Sequence, residues 1–136
     1  MTSHRKHIKS IVPAEMQDTY ATYHYSPGML SGDLLFISGQ IGVDENGAVP
    51  ESPATQARNA FTSMQTVLRE AGLDFADVVS ITTHHVGSVQ SIFDWFPEVK
   101  DEFLHDPYPC WTAIGVTELA IPGLVIEISA IARSRT

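Results

Sequence analysis

An α+β domain built on a single mixed sheet is the fold class this sequence predicts, and three observations carry it. Runs rich in β-branched and aliphatic residues recur at 7–12, 34–41, 78–86 and twice within 107–132. Two other segments, 52–71 and 91–104, repeat apolar residues at three- and four-residue spacing, the period of a helix with one buried face. The resulting order is β-β-α-β-α-β-β. Strands separated by a helix favour parallel crossovers, and directly joined strands favour antiparallel hairpins. The expected architecture is therefore a mixed sheet with both helices packed on one face.

Length and charge bound the rest. A chain of 136 residues is read as one domain, 1–136, long enough for a real core. Sixteen acids against eight bases leave a net charge of -8, opposite to the basic footprint that nucleic-acid binding requires. No apolar run reaches the roughly 20 residues that span a bilayer, and the start MTSHRKHIKS lacks the apolar segment of a secretory leader. No membrane or nucleic-acid partner is expected, and the cytoplasm is the default location. The one cysteine, Cys110, excludes an internal disulfide.

Taken in order, HIKSIV at 7–12 reads as a strand closed by Pro13, and 15–27 as irregular. LLFISGQI at 34–41 is a strand with Gly39 inside it. An internal glycine marks a bulge or a close backbone approach. Simple alternation puts Leu35, Ile37 and Ile41 on one face, and Leu34, Phe36, Ser38 and Gln40 on the other. Ser52 suits a helix cap, Pro53 the first turn and Gly72 the exit. Ala57, Phe61, Met64, Leu68 and Ala71 then form the buried stripe. VVSITTHHV at 78–86 is a strand by its β-branched content. The helix at 91–104 should break near Phe96, where Pro97 intervenes. The stretch 107–132 reads as a final hairpin turning at Pro122-Gly123. Apolar residues left on the far face of the sheet, namely Leu34, Phe36, Val125 and Ile131, imply burial against another subunit.

Candidate chemistry centres on that last stretch. Glu127 is an acid within an apolar strand. Two roles fit it: a desolvated carboxylate that holds water or takes a proton, and an ion pair or hydrogen bond in a subunit interface. Alternation puts Trp111, Ala113 and Gly115 on the face of Glu127, and Cys110, Thr112, Ile114 and Val116 in the core. Trp111 then walls a ligand pocket or packs an interface, and Cys110 is an inert core thiol. His84 and His85 must point to opposite faces: one packs or hydrogen-bonds near the core, and the other, read as His84, could face the pocket or serve as a satisfied structural histidine. Tyr20, Tyr23 and Tyr25 could lend a phenol to a site or simply pack. No metal-ligand spacing and no phosphate loop is present.

Four segments together resemble the RidA (YjgF) family of reactive-intermediate deaminases. Tyr25-Ser26 is similar to the end of its GPYS loop, and Ser38-Gly39-Gln40-Ile41 to its SGQI signature. Gln56-Ala57 through Ala71-Gly72 resembles its QA…L..AG helix, and 109–116 with 125–132 its closing strands. The resemblance implies a chorismate-mutase-like fold and a homotrimer with sites in the inter-subunit clefts. It implies hydrolysis of enamines and imines to keto acids and ammonia, with no metal or organic cofactor. Residue by residue, it implies Glu127 as the catalytic carboxylate, with Tyr25 and Gly39 lining the cleft. Aligning PARS on 109–112 puts Trp111 where the family has a carboxylate-binding arginine, flanked by Cys110 and Thr112. These three and His84 complete the expected substrate-binding set. Tyr23-His24 replaces Gly-Pro in the first loop.

Arginine offers a planar fork matched to a carboxylate, whereas tryptophan offers one N–H and an apolar face. Losing such a charge-assisted contact costs about 2–5 kcal/mol of binding. Ordinary 2-aminoacrylate deamination is therefore not expected. The expectation is hydrolytic deamination of a different imine, enamine or ring-derived intermediate. The alternatives are a non-catalytic small-molecule-binding trimer and a purely structural one.

Overall fold

The computed structural model describes residues 7–135. Six strands form one sheet in the order β1-β2-β3-β6-β4-β5. Strand β1 (Ile8–Ile11) leads into a 3-10 turn and a short helix α1 (Gln17–Tyr23), followed by β2 (Gly28–Ser31) and β3 (Leu34–Ile41). Helix α2 (Pro53–Glu70), β4 (Val78–Val86), α3 (Phe96–Phe103), β5 (Cys110–Val116) and β6 (Ile126–Arg133) complete the chain. The expected mixed sheet with two helices on one face is present. Two elements escaped the sequence reading. The segment 15–27 carries α1 rather than irregular chain, and β2 forms the hairpin with β3.

The final pair departs from expectation more deeply. β5 and β6 are not a hairpin. β5 pairs parallel with β4 alone, while β6 lies antiparallel between β3 and β4. The connection 117–125 therefore has to cross the end of β4. Backbone bonds from Val86 N–H to the Val125 carbonyl (3.0 Å) and from Gly87 N–H to the Val116 carbonyl (3.2 Å) hold that crossing. Gln56, fully buried on α2, anchors it from below. Its amide donates to the Pro50 and Gly123 carbonyls at 2.8 and 3.0 Å, and its oxygen accepts from Val125 N–H at 2.8 Å. The sequence showed Gln56 only as part of a motif and gave no sign of this role.

Helix α2 begins as its residues require. The Ser52 hydroxyl accepts from Thr55 N–H at 3.2 Å, with Pro53 in the first turn. Ala57, Ala60, Phe61, Met64, Val67 and Leu68 are buried against the sheet. Phe61 stacks on Phe103 and Phe96, with ring centroids 4.7 and 6.2 Å apart, and so joins α2 to α3. Pro97 acts as foreseen. The chain runs as a 3-10 helix to Asp94 and restarts as α3 at Phe96. Ile81, Ile126, Ile128, Ala130 and Ala132 supply the sheet side of this core.

The opposite face of the sheet is packed by neither α2 nor α3, and in that sense is helix-free. Phe36 and Ile114 are each about two-fifths exposed there, at 43% and 41%. That is a substantial apolar area for a free surface.

Candidate active site

Glu127 lies on the helix-free face. On β6, Ile126, Ile128 and Ala130 are buried toward the helices, so Glu127 and Ser129 point the other way. Strand register sets its neighbours: Ile41 on β3 and His84 on β4 stand directly opposite, and Ile114 on β5 stands beyond His84. Both Glu127 and His84 are half-buried. No side-chain hydrogen bond or ion pair engages the Glu127 carboxylate among the described residues, and His84 Nδ1 is buried without a partner.

Gly39 makes room for the carboxylate. Between Ile37 and Gln40 the β3–β6 register slips by one residue, so Ser38-Gly39 forms a bulge. A side chain at Gly39 would put Cβ 2.5 Å from Glu127 Cδ and 2.6 Å from Oε2. The glycine is thus required by a close approach, as its place in a strand implied. The bulge also corrects the simple alternation of 34–41. Gln40 joins Leu35 and Ile37 on the helix side, where its Oε1 accepts from Ser63 Oγ at 2.6 Å, and Ile41 turns to the Glu127 face.

Tyr25 reaches the same bulge from the α1–β2 loop. It lines a small cavity of about 130 Å³ with Gly39, and a larger open groove of about 690 Å³ with Ser38, Tyr20, His24 and Met29. His24 closes α1 in the left-handed conformation, φ 59°, with its N–H bonded to the Tyr20 carbonyl at 3.0 Å. Proline, fixed near φ −65°, cannot adopt that geometry. A proline at position 24 would therefore require a different path of the loop.

Trp111 does not share the face of Glu127, contrary to the alternation expected from sequence. β5 lies in register with β4, and Trp111 stands opposite Ile81, which is buried toward the helices. The indole N–H donates to Thr83 Oγ1 at 3.0 Å, and the ring meets Phe93 and Phe96 at centroid distances of 5.6 and 5.7 Å. Lys100 Nζ lies 5.3 Å from its centroid, a cation–π arrangement. Cys110, Thr112 and Ile114 are correspondingly exposed on the helix-free face, so Cys110 is not a core thiol. Within one chain Glu127, Gly39 and His84 come together, and Tyr25 adjoins the bulge at Gly39. Cys110 and Thr112 share the open face, and Trp111 is turned away.

Beneath His84 lies the histidine that alternation along the strand placed near the core. His85 is 1% exposed, its Nε2 is 2.7 Å from Thr83 Oγ1, and its ring meets Phe96 edge-on. Burial chiefly, and the neighbouring His84 secondarily, push its pKa down to about 4. It is therefore a neutral imidazole at pH 7. Among the described residues no group of three His, Cys, Asp or Glu side chains could hold a metal ion. No helix there is long and apolar enough to cross a membrane.

Comparison with known proteins agrees on the fold and assigns the family. The family profile described as Endoribonuclease L-PSP matches residues 16–134. The chain is 41% identical to the RutC family protein YjgH of Escherichia coli (strain K12), over 91% of this chain and 93% of that one. It is 33% identical to the 2-iminobutanoate/2-iminopropanoate deaminase of Homo sapiens, over 79% and 78%. A solved structure of protein YJGH superposes with a TM-score of 0.83 at 38% identity, covering 96% and 98% of the two chains. RidA from an Antarctic Psychrobacter superposes at 0.76 with 30% identity, covering 95% and 99%. The chain belongs to the Endoribonuclease L-PSP (YjgF/RidA) family.

Proposed function

We propose that this protein is a homotrimeric hydrolase that deaminates an imine or enamine in a cleft between subunits, with Glu127 as the catalytic carboxylate. The observation that carries this reading is the Glu127 carboxylate itself. It is half-buried, free of any ion pair among the described residues, and seated against a glycine that no other residue could replace without contact. A carboxylate in that state can take a proton from water as the oxygen attacks the carbon of a C=N bond. That proton passes to nitrogen, giving a carbinolamine; the carboxylate then takes the hydroxyl proton and delivers it to nitrogen as the C–N bond breaks, so that a carbonyl forms and ammonia leaves. An enamine first tautomerises to the imine. His84, directly across the strand, stands where it can orient the water or the leaving nitrogen.

The trimer is supported by the exposed apolar side chains Phe36 and Ile114 on the same face as Glu127, and by the family. The substrate differs from 2-aminoacrylate on this reading. The position that the family resemblance aligns with a carboxylate-binding arginine is Trp111, whose indole bonds Thr83 and packs in the aromatic cluster. The open-face row through Glu127 (Ile41, His84, Ile114) holds no fixed cation.

The test is release of ammonia or carbonyl from a panel of imines and enamines, with and without a 2-carboxylate. Glu127→Gln should lower turnover by about 10²- to 10⁴-fold, the usual worth of general-base catalysis. Equal rates for the two proteins would remove Glu127 from the mechanism. Saturable binding without turnover in either protein would favour a ligand-binding trimer instead.

A further inference from the structure

The groove beside Tyr25 has a composition that Glu127 chemistry does not account for. Its rim is Tyr20 and Tyr25, 41% and 46% exposed, with His24 between them in sequence and Met29 on its floor. Its serine hydroxyls are already engaged. Ser38 Oγ donates to the Ser26 carbonyl at 2.7 Å, and Ser26 Oγ lies 2.6 Å from Ser10 Oγ. No Asp, Glu, Lys or Arg lines it. The groove therefore offers π faces, a polarizable sulfur and the phenol hydroxyls of Tyr20 and Tyr25, with no Asp, Glu, Lys or Arg to call for a charged partner. Its volume of about 690 Å³ falls within the roughly 300–1,000 Å³ of small-molecule sites. One wall, Ser38, is the residue next to Gly39, against which Glu127 rests.

We propose that this groove binds a planar, uncharged aromatic or conjugated ring of the substrate, and that His24 and Tyr20 are specificity-determining residues that stack on it. The ring assignment deepens the deaminase reading and rests on it only for turnover; the binding stands separately. The stacking partner of a ring-bearing substrate is thus the Tyr20–His24–Tyr25 wall and not Trp111. His24 holds its imidazole at the groove because it ends α1 in a left-handed turn. Histidine is among the residues that tolerate that geometry.

Methyl NMR of the whole protein, labelled at Met29 and Ala21, tests this with indole, cyclohexanol and acetate as probes. Indole should produce saturable shifts at both methyls. Cyclohexanol should bind at least several-fold more weakly, and acetate should not bind. His24→Gly keeps the left-handed turn available and removes the ring. It should raise the indole dissociation constant about 2- to 12-fold, the range of one aromatic contact. Tyr20→Leu, which keeps apolar bulk, should do the same. Glu127→Gln should leave indole binding unchanged. A failed deaminase assay with intact indole binding thus separates the two readings. Absence of saturable shifts, equal affinity for indole and cyclohexanol, or unchanged affinity in His24→Gly would each overturn the ring assignment.

Discussion

Replacing Gly39 with alanine separates the chemistry of Glu127 from the stability of the fold. The added Cβ would stand 2.5 Å from Glu127 Cδ, 2.6 Å from Oε2 and 2.8 Å from Cγ. Carbon atoms settle at about 3.5–4.0 Å, so the carboxylate must retreat by about 1 Å. The backbone at Gly39 lies outside the left-handed region, so alanine meets no conformational penalty there. Glu127 is half-exposed and can swing toward solvent. The stability cost should therefore stay near the low end for overpacking, about 1 kcal/mol. A catalytic group displaced by 1 Å, by contrast, loses about 10²-fold in rate. Thermal unfolding and single-turnover hydrolysis of the best imine in the panel would read both numbers. If the alanine acts through Glu127, Gly39→Ala in a Glu127→Gln background should cost almost nothing further. A wild-type rate for Gly39→Ala, or full additivity in the double variant, would refute the reasoning.

Two other expectations concern the fold. Gln56→Leu strips partners from the Pro50 and Gly123 carbonyls and the Val125 N–H, and should destabilise by about 3 kcal/mol. Urea unfolding with an unchanged m-value would show it, and a loss below about 1 kcal/mol would mean water replaces the amide. His85 binds its proton less readily folded, at a pKa of about 4, than unfolded, at 6.5. Its stabilising effect is complete above pH 6.5 and is lost as pH falls toward 4. The difference is worth about 3 kcal/mol. Urea titrations at both pH values should show that excess loss in wild type relative to His85→Gln. Parallel losses would place the acid sensitivity elsewhere.

Local signals carried a good part of this protein. Helix α2 with its Ser52 cap, the span of β4 and the break at Pro97 were legible because each depends on residues adjacent in the chain. Glu127 and His84 were assigned the correct face for the same reason. Their strands alternate cleanly, and one face of each is packed with aliphatic residues. Gly39 announced a bulge or close approach by its position, though not that Glu127 was the neighbour.

Strand β5 shows why parity fails. Cys110, Ile114 and Val116 look as apolar as Trp111 and Ala113, so hydrophobicity cannot say which set faces the helices. The choice fell to β4, whose parallel register puts Trp111 beside Ile81 and in reach of Thr83. The β5–β6 hairpin was excluded for a similar reason. β6 satisfies its backbone groups between β3 and β4, partners that lie far away in sequence. The sequence by itself determined helices α2 and α3, five of the six strands and the two residues, Glu127 and Gly39, on which the proposed chemistry turns. Tertiary structure alone decided what those residues meet. Strand pairing is a long-range contest for hydrogen bonds, and only the assembled sheet settles it. That pairing puts Glu127 against Gly39 and His84, turns Trp111 to the core, and leaves Tyr20, His24 and Tyr25 around the open groove.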